Sequence, residues 1–180
     1  AGIQITLGFA GIVGFHVFWG VLYLCVATAS GLSRHRPVEP PEASTALRYL
    51  VERLPDTPVL VHCCAADPPV ELLSGAGVAG VLVDTDQLAG AARDAIGTAF
   101  EAGLEIGLGA LPTGALGTSP DQVARRVLTL IRDLGTDPAR SGQLIITPAC
   151  GLAGGTSADA VRALRTVRTA ADIVTEQLAS

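Results

Sequence analysis

At 180 residues the chain is long enough for one domain with its own core. Its formal net charge of −5, with no basic patch and no aromatic interleaving behind it, argues against nucleic-acid binding. All 12 basic residues are arginine, and methionine is absent, even at position 1, so the chain is expected to be a fragment or to have lost its start.

Residues 1–33 carry no charged side chain and hold five glycines between Gly2 and Gly20. Their length meets the criterion for a membrane-spanning helix, with Arg34 and Arg36 on the cytoplasmic flank. The other expectation is one or two strands of a parallel sheet, apolar because both faces are buried. No basic residue precedes the run, so a secretory leader fits less well. Residues 1–33 are set apart from a domain over 34–180.

From Arg34 the pattern is regular. The connection RHRPVEPPEA leads into ASTALRYLVERL, where Ala46, Leu47, Leu50, Val51 and Leu54 recur at helical spacing and Ser44 or Thr45 is the candidate cap. PVLVHCC is β-branched and reads as a strand, PPVELLSGAG as a short helix, and VAGVLVDTD as a strand. The helix DQLAGAARDAIGTAFEAG, the strand LEIGLGALP and the helix SPDQVARRVLTLIRDLG follow, the last capped by Ser119. GQLIITPACGL is a fourth strand, and SADAVRALRTVRTAADIVTEQL a closing helix behind Thr156 or Ser157. Strand–helix alternation with short links is the pattern of right-handed βαβ units on a parallel sheet. Four units make half of an eight-unit barrel, or a small open doubly wound sheet, with chemistry expected at the carboxyl ends of the strands.

Those ends carry the candidates. Side chains alternate along a strand, so His62 and Cys64 share a face and Cys63 opposes them. Asp84 and Asp86 share a face by the same argument, as do Pro148 and Cys150. In a barrel these ends meet at one mouth, where two thiolates, one imidazole and a carboxylate suit Zn²⁺. Any one of these residues alone is more simply a packed thiol or a hydrogen-bonded histidine. Their common position at strand ends is what favours a metal. Cys25 and Cys63 are expected to be buried apolar thiols, and all four cysteines to be reduced, as suits a cytoplasmic enzyme.

VLVHCCAADPP, GVLVDTD, LEIGLGALP and ITPACGLAGG together resemble the zinc-site half of cobalamin-independent methionine synthase, and TASGLSRHR resembles the loop before that half in actinobacterial-type members. The resemblance spans about residues 27–178. It implies a partial (βα)₈ TIM-type barrel, the last four βα units, with zinc held by His62, Cys64 and Cys150. The family's acidic ligand, usually glutamate, falls on Asp84, with Asp86 as the weaker match. It further implies methyl transfer from 5-methyltetrahydrofolate to homocysteine in methionine biosynthesis. A thiol such as coenzyme M with a corrinoid donor is the alternative, as is a non-catalytic zinc-binding remnant. Two features depart from the pattern: VLYLCVA stands where an Asp-Glu-Pro strand end is expected, and the other half of the barrel is not in the sequence. Half a barrel has two unpaired edges, so self-association is expected.

Overall fold

The computed structural model describes residues 4–6 and 39–179. The chain forms β1 (Gln4–Thr6), α1 (Pro40–Glu52), β2 (Leu60–Cys63), α2 (Val70–Gly75), β3 (Gly80–Asp84), α3 (Gly90–Glu101), β4 (Glu105–Leu111), α4 (Pro120–Leu134), a 3₁₀ turn (Pro138–Gln143), β5 (Leu144–Pro148) and α5 (Ser157–Leu178). The sheet order is β1-β2-β3-β4-β5, with β2 to β5 parallel and β1 antiparallel to β2. Four parallel strands alternating with helices are the α/β arrangement of a partial TIM-type barrel.

Helix boundaries follow local chemistry. Ser119 accepts from the Gln122 N–H while the Gln122 side chain accepts from the Ser119 N–H, and Thr156 and Asp159 repeat this reciprocal cap on α5. Gly135, at φ 63°, ends α4 in the left-handed conformation that glycine adopts without steric cost. The start of α1 differs from the expectation: the N-cap is Glu39, with prolines opening the first turn. Neither Ser44 nor Thr45 caps it. The Thr45 hydroxyl instead donates to the Pro41 carbonyl from within the helix, because proline at N1 starts a helix where no N–H is needed.

The sheet has two unlike faces. Val61, Cys63, Val81, Val83, Ile106 and Leu108 fall on one face by register and are almost wholly buried. They pack under α3, α4 and α5 through Ile96, Phe100, Val123, Val127 and Ala163 in one hydrophobic core. Each such aliphatic side chain contributes about 1.5–3 kcal/mol by burial. The opposite face, the interior of a closed barrel, carries Leu60, His62, Leu82, Asp84, Gly107, Ile145 and Thr147 and is mostly half-exposed. Cys63 lies in the dry layer as expected of a packed thiol, while Cys25 lies outside the described residues.

The charge-free run 1–33 also lies outside the described residues, apart from Gln4–Thr6 in β1, and so does the TASGLSRHR loop. Among the described residues, no helix is long and apolar enough to cross a membrane.

Gly109 holds the upper rim of the sheet together. It sits between Asp84 and Thr147, and a Cβ there would come within 2.6 Å of the Val83 carbonyl oxygen and 2.7 Å of the Ala149 Cα. Gly109→Ala is therefore expected to cost about 1–3 kcal/mol, read from the urea midpoint. Gly114→Ala, where a Cβ meets nothing within 4 Å, should stay within about 0.5 kcal/mol of the parent chain.

Candidate metal centre

Three of the sequence candidates meet. One ligand atom each from His62, Cys64 and Cys150 lies within 4.8 Å of the other two. His62 stands on β2 and Cys64 one residue beyond that strand, on the same side by alternation. Cys63, Cys64 and Cys150 are all free thiols.

Cys150 reaches the group by a less regular route. Thr147 pairs with Gly109 on the open face, so unbroken alternation would put residue 150 on the helix-covered side. The β4–β5 register shifts between Gly109 and Leu111, and the Ala149 N–H donates to the Leu111 carbonyl at 2.9 Å. This irregularity, with the bend after Pro148, changes the phase of the chain and brings the Cys150 thiol to the other two. The close approach that Gly109 permits carries Ala149 to the rim.

The surroundings suit a metal ligand set. His62 is 9% exposed, and its Nε2 is buried with no hydrogen-bond partner among the described residues. An orphaned buried nitrogen is costly unless something fills its lone pair or takes its proton. Burial holds the His62 imidazole below its ordinary value of 6.5, and the Asp84 charge partly offsets that. A neutral imidazole is the ligating form. Burial, with the neighbouring Cys150 thiol, pushes Cys64 upward. Two thiols hydrogen-bonded to each other are poor thiolates without a cation, and a bound cation reverses that balance. Thiolates at about 2.3 Å from a tetrahedral Zn²⁺ lie a little under 4 Å apart, which is compatible with this cluster.

The carboxylates behave differently from the alternation argument. The strand ends at Asp84, and residues 85–87 form a turn, so Asp84 and Asp86 do not share a face. Asp86 is ion-paired with Arg126 of α4 and lies outside the three-residue group. Asp84 lies outside the three-residue group, its Oδ1 accepting from the Asp86 N–H at 3.0 Å, yet its charge bears on His62. One polar atom escaped the sequence reading. Thr147 Oγ1 is buried without a partner among the described residues, in the open-face row beside Gly109. The alternation of LIITP could have placed it there had the facing glycine strand been known.

The sequence pattern of the uroporphyrinogen decarboxylase (URO-D) family matches residues 39–170, more than half of the chain. The chain belongs to the URO-D family. That family has the TIM-barrel fold, in accord with the four βα units seen here. The narrower expectation of methionine synthase is not reproduced by this match, and no individual curated protein matches. Within the URO-D family frame, the three clustered ligands stand at the carboxyl-terminal rim of the parallel strands, where barrel enzymes do their chemistry.

Two measurements check the centre. The purified chain is expected to bind one equivalent of Zn²⁺ by elemental analysis, and Cys64→Ser or Cys150→Ser to weaken that binding by about 10-fold or more. In the metal-free protein, the unfolded His62 takes a proton near its ordinary 6.5, while the folded one takes it only at lower pH. Stability attributable to the neutral ring is thus present above about pH 6.5 and lost as pH falls toward the folded value. The urea-midpoint difference between the parent chain and His62→Gln should drift with acidification in that window. A constant difference would show that the ring is not shielded.

Proposed function

We propose that this URO-D family chain is the metal-site part of a zinc-dependent thiol methyltransferase of the methionine synthase type. The observation that carries the reading is the convergence of His62, Cys64 and Cys150, one ligand atom of each within 4.8 Å of the others, with a buried His62 Nε2 that has no partner among the described residues. A decarboxylation, the reaction in the family's description, calls for groups that hold and protonate a carboxylate-bearing substrate. Two thiols and a neutral imidazole are instead soft ligands suited to Zn²⁺ and to a thiol beside it.

His62, Cys64 and Cys150 would hold the ion. Asp84 stands as the candidate fourth ligand, one of its two carboxylate oxygens already accepting from the Asp86 N–H. Bound there, zinc supplies the Lewis acidity that keeps an acceptor thiol deprotonated near neutral pH. The chain's own work is positioning. Burial favours the uncharged form of His62, the glycine-permitted approach of β4 and β5 sets Cys150 at the rim, and Thr147 Oγ1 offers a hydrogen-bonding group on the same open face. In the transfer, the thiolate sulfur forms the new S–CH₃ bond as the methyl–nitrogen bond of a 5-methyltetrahydrofolate breaks. The electron pair leaves with the folate nitrogen, which then takes a proton. Homocysteine is the proposed acceptor, with methionine as product.

The test uses the zinc-loaded full chain with homocysteine and methylfolate, and in parallel coenzyme M with methylcobalamin. Methionine formation that falls about 100-fold or more in Cys150→Ser supports the reading. Turnover only in the second arm moves the acceptor to another thiol. Zinc bound with no transfer in either arm refutes catalysis and leaves a zinc-binding remnant.

A further inference from the structure

A second polar site lies on the helix layer rather than at the thiol cluster. A cleft of about 590 Å³ opens between α3 and α4, beneath the turn that follows β3. Its walls include Arg93 of α3, Arg125 and Arg126 of α4, and Thr85 and Asp86 of the turn. Arg126 is neutralised by Asp86. Arg93 and Arg125 have no ion-pair partner among the described residues, and the Arg93 Nε is buried without any hydrogen-bond acceptor. Asp133 is the one lining carboxylate without an ion pair, so two free guanidiniums face one free carboxylate. That local excess of positive charge stands in a chain whose net charge is −5.

A guanidinium N–H buried without an acceptor leaves a strong donor unsatisfied, and guanidinium forks match the planar or tetrahedral oxygens of carboxylates and phosphates. We infer that the α3–α4 cleft is an oxyanion subsite, in which Arg93 and Arg125 bind a carboxylate or phosphoryl group of a small ligand. Arg126 is held back by Asp86 and contributes field rather than a free fork. The turn carrying Asp86 is continuous with Asp84, which bears electrostatically on His62, so the subsite adjoins the rim without sharing its ligands. The inference does not depend on methyl transfer or on zinc.

Isothermal titration of the metal-free full chain with inorganic phosphate and, separately, glutarate tests it. The expected result is a saturable site, one per chain, at millimolar concentration or tighter, weakened by added salt. Arg93→Gln and Arg125→Gln should each weaken binding about tenfold, while Arg162→Gln, at an ion pair on α5 outside the cleft lining, should not. Arg125 is exposed, so its replacement keeps the fold and decides the matter even if Arg93→Gln unfolds. Tighter glutarate than phosphate assigns the site to a carboxylate, and the reverse to a phosphoryl group. Saturation by neither, or unchanged binding in Arg125→Gln, overturns the inference.

Discussion

A parallel sheet covered by helices on one side must send alternate side chains into a dry layer, and everything at the rim here depends on that alternation. Val61, Cys63, Val81, Val83, Ile106 and Leu108 occupy the dry layer, which commits His62 to the other face. The imidazole is then neither solvated nor packed among helices, and its Nε2 has no partner among the described residues. The same rule that stabilises the sheet sets this imidazole beside Cys64 at the rim.

The third ligand depends on breaking the rule. Cys150 joins His62 and Cys64 because the β4–β5 register slips at Gly109–Leu111, and the slip is possible because Gly109 has no Cβ to strike Val83 or Ala149. A glycine that looks like a weakness in a strand is here the condition for close approach of three chain segments. Packing and chemistry meet at that position, since enlarging it disturbs both the sheet and the thiol.

Charge is distributed to match. The two aspartates at the end of β3 and in the turn after it are engaged locally, Asp84 with the Asp86 N–H and Asp86 with Arg126. That turn divides the thiol-rich rim from the arginine cleft between α3 and α4. Its two ends face different chemistry: neutral soft ligands on the sheet side and hard cations on the helix side. The division lets one short segment sense both without mixing their ligands.

The sequence alone determined the βα alternation, the cap at Ser119, the cap of the last helix to within Thr156 or Ser157, and the presence of His62, Cys64 and Cys150 at strand ends, because periodicity and capping are local properties. The pairing of His62 with Cys64 was legible too, since two residues on one strand need only the period of two. The fates of the two aspartates were not, because the strand stops at Asp84 and the residue that claims Asp86 lies 40 positions away on another helix. The cap of α1 went to Glu39 because a proline start outweighed a serine further in. Only the tertiary structure decided that Cys150 reaches the cluster and that the Arg93 Nε is buried without an acceptor among the described residues. Both facts arise from how separate segments pack, from a register slip and from two helices meeting, and neither contact is encoded in the spacing of neighbouring residues.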